Sequence, residues 1–170
     1  MTFIMSIGPR IDVVAQTDPS QSPDRYRTVV GGLHSSHASI AHQGHQEGVA
    51  VAFSPLGSRA LFGMPARALW NTSVELTEVV GPVGDELWER VQLSEGWDQR
   101  LGVMDAMLNT LMRDNTAPVS AEVSLAWDRL VASTGAATVS GVADAVEWSR
   151  QHLTRRFREE FGTSPKVVPG

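Results

Sequence analysis

The sequence predicts an α+β fold: a small antiparallel β-sheet or partial barrel at the N-terminus, followed by helices and ending in a helix-turn-helix. Three observations carry this. Residues 2–53 break into short apolar or alternating runs separated by Gly, Pro and Asp, the pattern of strands joined by turns. Residues 55–133 instead set apolar residues three and four apart, the period of a helix. Residues 139–162 hold two short helical stretches around a tight turn, and the second is basic.

Taken in order, strands are expected over residues 2–7, 11–15, 27–30, 39–41 and 49–53, with the polar, Pro/Ser-rich stretch 18–24 as a disordered loop tip. Pro55 opens the helical part. A short helix over 56–62 stops at Gly63, and a second runs over 85–93. The helix over 97–112 carries Leu101, Met104, Leu108 and Leu111 as an apolar stripe. The helix over 119–133 sets Val123, Trp127 and Leu130 on one face and ends by Gly135. Asn, Thr, Pro and Gly cluster at 114–118 and at 133–138. These clusters divide the chain into a β-rich domain with C-terminal helices, residues 1–113, and a helical unit, residues 118–170.

The last unit is the most informative. Val142, Ala143 and Val146 form the apolar side of a short helix that runs into a turn at Glu147-Trp148. Ser149 is the expected N-cap of the next helix. Leu153, Phe157 and Phe161 recur every four residues and share one face, and Gly162 supplies a left-handed stop. From residue 149 to the end the chain holds Arg150, Arg155, Arg156, Arg158 and Lys166 against Glu159 and Glu160. That makes the segment +3 on a chain whose net charge is −5. Local basicity on an acidic body is the charge plan of a DNA-binding end. On a helical wheel Gln151, Thr154, Arg155 and Arg158 form one polar strip, with Glu159 and Glu160 outside it. The plainer reading is a solvated helix laced by i,i+4 pairs, Arg155–Glu159 and Arg156–Glu160.

Composition sets the remaining bounds. The 170 residues are 42% apolar with five Trp and five Phe, enough for one domain or one domain with a small appendage. With no Cys, disulfides and thiol catalysis are excluded, and a cytoplasmic setting is expected. No apolar run approaches the ~20 residues needed to span a bilayer, and the stretch at 3–7 is too short for a signal peptide.

The same C-terminal residues resemble the first helix-turn-helix of AraC/XylS-type transcription regulators. Ala143-Asp-Ala-Val-Glu-Trp-Ser149 is similar to that family's Ala-x-x-x-Gly-x-Ser turn except at Glu147. Leu153, Arg155-Arg156-Phe157 and Phe161-Gly-Thr-Ser-Pro-Lys166 resemble its Leu-x-Arg-x-Phe … Gly-x-Ser-Pro pattern. The stretch from Gly31 to Pro65 looks like the sensor part of some members. The resemblance implies that Gln151, Thr154 and Arg155 reach base edges and that Arg150 and Arg158 meet phosphates, on double-stranded DNA. It also implies a small-molecule effector and a homodimer formed through the helix over 97–112; intradomain packing of that stripe is the other reading. Two departures stand out. Glu147 sits where a turn residue with φ > 0 is usual. The family also carries two helix-turn-helix units, and this sequence is expected to be the sensor part plus the first unit alone, with Ser164-Pro165 opening the linking helix.

His34, His37, His42 and His45 lie within twelve residues. Imidazole is the commonest metal ligand, and a cupin-like site using these with Glu47 is the reading from another class, a small-molecule or metal-binding protein without DNA binding. The spacing opposes it, since His34 and His37 would point to opposite faces of a strand, as would His42 and His45 unless Gly44 makes a bulge. Solvated loop histidines are therefore the expected reading, a ligand-lining or hydrogen-bonding role for His34, His42 and His45 is the alternative, and no metal, cofactor or catalytic site is expected. Gly81-Pro-Val-Gly84 lacks the Lys-Ser/Thr of a phosphate loop and reads as a turn.

Overall fold

The computed structural model describes residues 1–115 and 118–167. The fold is α+β, with antiparallel sheets first and, among the described residues, seven α-helices after them. β1 (Thr2–Ser6) pairs antiparallel with both β4 (Thr28–Gly31) and β6 (Gly48–Ala52), and β7 (Ser73–Glu75) adds to the far side of β4. A second sheet sets β2 (Ile11–Ala15) between β3 (Asp24–Tyr26) and β5 (Ser39–Ala41).

The two-residue period of β1 explains why there are two sheets rather than the single one expected. Phe3 and Met5 point to one face and meet Leu87 and Val91 of α3 (Val83–Leu93) and Met104 and Met107 of α4 (Gly96–Asp114). Ile4 points the other way and joins Val29, Ile11, Val13 and Tyr26 between the sheets. Both faces of the first sheet are thus covered, one by helices and one by the second sheet.

Other elements depart from the sequence reading. β3 and β7 are three residues each, Asp-Arg-Tyr and Ser-Val-Glu, mostly polar and without an apolar run to mark them. The stretch 18–24 is tied down: the Gln21 amide donates to the Ser73 carbonyl and accepts from the Ser73 N–H at 3.2 Å. α2 (Leu76–Val80) follows β7, and the Glu75 carboxylate at its start accepts from the Arg27 and Thr28 N–H groups at 2.7 and 2.9 Å. In α4 the buried residues are Met104 and Met107, whereas Leu101 is 50% exposed. Leu101 and Met107 lie about 120° apart on a helix, so packing on Met107 turns Leu101 outward.

α1 (Gly57–Phe62) ends at Gly63, φ 68°, and leads to a 3₁₀ turn, Ala66–Leu69. The C-terminal helices have a core of their own. α5 (Ala121–Ala132) starts at Ser120, whose hydroxyl accepts from the Val123 N–H. α6 (Val139–Ala145) starts at Thr138 in the same way, and α7 (Arg150–Phe161) completes the group. Val123, Trp127 and Leu130 of α5 meet Val142 and Ala143 of α6 and Leu153, Phe157 and Phe161 of α7. Fully buried Ala66 of the 3₁₀ turn closes the cluster. Phe161 stacks 4.6 Å from Trp127 and 5.0 Å from Phe157, ring centre to ring centre. Of the two expected boundaries, 114–118 includes residues 116–117, and the unit 118–170 includes 168–170; those residues lie outside the described ones.

Phe157 is completely buried, so Phe157→Ala is expected to destabilise the chain by about 3–5 kcal/mol. Chemical denaturation checks this; a loss below about 1 kcal/mol would show that α7 does not depend on this core.

Candidate nucleic-acid interface

α6 ends in a Schellman motif. The Trp148 N–H bonds to the Ala143 carbonyl at 2.9 Å and the Glu147 N–H to the Asp144 carbonyl at 3.2 Å. That pattern requires a left-handed residue between them, and Glu147 takes it, with φ 56°. Ser149 then caps α7, its Oγ accepting from the His152 N–H at 3.1 Å. Gly162, at φ 76°, stops α7. Two helices and a four-residue turn are therefore set by local chemistry, and the Leu153/Phe157/Phe161 face is buried.

What remains outward is polar. Arg150, Gln151, Arg155 and Arg158 are exposed and Thr154 is half-buried beside them. These residues border a shallow open concavity, so the structure brings all five predicted DNA-contact residues to one surface. Ser149 also lines it; Glu147 is exposed in the adjoining turn. Three further charged residues belong to the rim: Arg67, Lys166 and Glu159.

The acidic residues behave differently from the wheel. Glu160 faces inward, 7% exposed, and accepts from the Arg59 Nε of α1 at 2.7 and 2.9 Å. The expected Arg156–Glu160 pair is therefore replaced by a tie between α7 and α1. Arg156 pairs with Glu159 instead, at 2.8 Å, and Arg155 reaches the other oxygen of Glu159, also at 2.8 Å. Glu159 thus borders the polar strip rather than lying outside it, but as a neutralised group. Its carboxyl is held below the ordinary value first by the Arg156 hydrogen bond and then by that of Arg155.

These geometries set what each side chain can offer. An exposed i,i+4 pair such as Arg155–Glu159 contributes only about 0.3–0.5 kcal/mol, against about 1–3 kcal/mol of discrimination for a bidentate arginine on guanine. Arg155 can exchange partners, and Arg156 stays on Glu159 when it does. Thr154 donates its hydroxyl hydrogen to the Arg150 carbonyl at 2.8 Å, so outward it presents only acceptor lone pairs and a methyl group. Gln151 has no hydrogen-bond partner among the described residues, leaving its amide for a donor–acceptor pair such as an adenine edge.

The histidines do not form one group. His42 and His45 line a separate concavity with Arg10, Asp12 and Arg25. His45 is weakly paired with Glu47 at 3.9 Å, and the nearer interest of Glu47 is Arg100 of α4 at 3.6 Å. His34 packs near Gly31, where burial, with a smaller push from the N-terminal ammonium, pulls its imidazole below the ordinary value. Among the described residues no three His, Asp or Glu side chains gather as metal ligands.

Sequence reasoning missed Arg59 and Arg67. Each is an isolated cation in a stretch without basic patterning, and each meets α7 only through the folded chain. Compared with known proteins, the chain matches no family model, no curated protein and no solved structure.

The left-handed Glu147 gives a stability test. Replacing a left-handed non-glycine residue by Gly relieves backbone strain of order 1 kcal/mol. Glu147→Gly is expected to raise stability by about that amount in thermal or chemical unfolding. A destabilised Glu147→Gly would mean the Glu147 side chain makes contacts that outweigh its backbone strain.

Proposed function

We propose that this chain is a sequence-specific DNA-binding transcription regulator of AraC type, with α7 entering the major groove. The observation that carries the reading is the outward face of α7: Gln151, Thr154 and Arg155 beside Arg150 and Arg158, with each α7 carboxylate already engaged by an arginine. Such a face attracts phosphate and retains groups able to read base edges. The sequence resemblance, which gives the same residues the same roles, supports it independently of the charge pattern. DNA binding in the cytoplasm follows from this reading.

The N-terminal sheets would then sense a small molecule or mediate dimerisation. The concavity lined by Arg10, Asp12, Arg25, His42 and His45, with Arg25 paired to Asp12 at 3.2 Å, is the place for such an effector. Trp97, Leu101 and Met112 of α4 are 43, 50 and 50% exposed, which suits the homodimer that the resemblance implies. Among the described residues, no helix is long and apolar enough to cross a membrane.

One helix pair neutralises few phosphates. A labelled 20-base-pair duplex should bind the isolated chain with a dissociation constant of about 10⁻⁴–10⁻⁶ M at physiological salt, read by fluorescence anisotropy. Nanomolar, sequence-selective binding by the monomer would contradict a single reading unit, and no duplex binding at low salt would contradict the proposal.

The individual roles separate on duplexes selected from a random pool. Arg155→Ala should relax base preference, while Arg158→Ala should weaken matched and mismatched duplexes alike. Equal effects of both substitutions on both duplexes would remove the distinction between reader and phosphate contact.

A further inference from the structure

We infer that Arg67, carried by the 3₁₀ turn Ala66–Leu69 of the N-terminal part, is a DNA-phosphate contact, so that the duplex-binding surface extends beyond the α6–α7 helix pair. The inference rests on the reading of α7 as a DNA-binding helix and names a residue that neither the helix nor its sequence pattern contains.

Arg67 opens on the same concavity as Arg150, Arg155, Arg158 and Lys166, with Glu159 the one carboxylate among the lining residues. It is exposed and has no ion pair among the described residues. The chain holds 19 Asp and Glu against 14 Lys and Arg. Arg67 shares this lack of an ion pair with Arg150, Arg158 and Lys166 on the same concavity.

Its position is fixed from three sides. Ala66 next to it is fully buried in the α5–α7 core. Gly162 at the end of α7 lies so close that a Cβ there would stand 3.3 Å from the Arg67 Cβ and 3.2 Å from the Trp70 ring. Two residues earlier in α7, Glu160 holds Arg59 of α1 through both carboxylate oxygens. The turn that carries Arg67 and the helix that carries the readers therefore move as one piece.

The placement has a geometric consequence. Arg150 begins α7 and Arg67 sits against the glycine that ends it. A helix of twelve residues is about 18 Å long, and the major groove is about 12 Å wide. Cations at the two ends bracket the groove and meet its two phosphate backbones, with Gln151, Thr154 and Arg155 between them. An arginine in that place adds affinity without adding base preference.

The test uses the full chain and a labelled mixed-sequence 20-base-pair duplex, titrated by anisotropy across a series of KCl concentrations. Arg67→Ala and Arg67→Gln should each lower the slope of log affinity against log salt by about 0.9, the value for one lost phosphate contact. The loss should be equal on every duplex sequence. Arg113→Ala, exposed near the end of α4 and not among the residues lining the Arg67 concavity, should leave the slope unchanged. A slope that falls in Arg158→Ala but not in either Arg67 variant overturns the role of Arg67 and leaves that of α7 standing. Absence of salt-dependent duplex binding by the unaltered chain overturns both.

Discussion

Phe157 and Phe161 are wedged between Trp127 of α5 and Ala66 of the 3₁₀ turn, and the C-terminal surface depends on that wedge. Both rings are fully buried. A helix has one rotational setting that buries residues 153, 157 and 161 together, and that setting alone decides which side chains look outward. The outward placement of Arg150, Gln151, Thr154, Arg155 and Arg158 and the paired carboxylates are all consequences of it. Arg59 and Glu160 reinforce the same setting. Glu160 is nearly buried, and a carboxylate in that position needs a partner of fixed geometry, so the pair resists both rotation and sliding of α7 against α1.

The charge distribution gains meaning from this placement. With the segment from residue 149 at +3, the rest of the chain is −8, so positive charge is concentrated at one end. On the proposed function, acidic repulsion over the body and attraction at the α7 face would orient a duplex before contact. Arg156 has a supporting part in that proposal: by holding Glu159 it would keep that carboxylate from repelling phosphate and leave Arg155 free to turn toward a base. Function at this end is thus a matter of which pairs are strong enough to persist, and the exposed Arg155–Glu159 pair is the weakest of them.

Local signals were legible in the sequence and distant ones were not. Ser149 as cap, Gly162 as stop, the four-residue recurrence of the buried stripe and the left-handed demand on Glu147 all arise within one helix and its turns, where neighbours along the chain decide the outcome. The partner of Glu160 lies 101 residues away, so spacing favoured Arg156, and tertiary packing overrode it. Arg67 carries no pattern at all. The five expected strands, β5 of three residues among them, showed as apolar or alternating runs, whereas the mostly polar β3 and β7 owe their existence to partners already in place. Leu101 read as core because a wide apolar arc does not reveal which part of it a neighbour will cover. The histidines, close in sequence, parted because His34 follows β4 while His42 and His45 follow β5 in the other sheet.

The central claim is that the outward face of α7 meets duplex DNA. Two-dimensional ¹H–¹⁵N NMR of this 18.4 kDa chain, titrated with a 20-base-pair duplex, tests it residue by residue. The account predicts that amide shifts concentrate on residues 149–159, with the Arg67 turn moving alongside and the sheet carrying Arg10 and Arg25 unchanged. Shifts centred on that sheet, or none anywhere on α7, would contradict it.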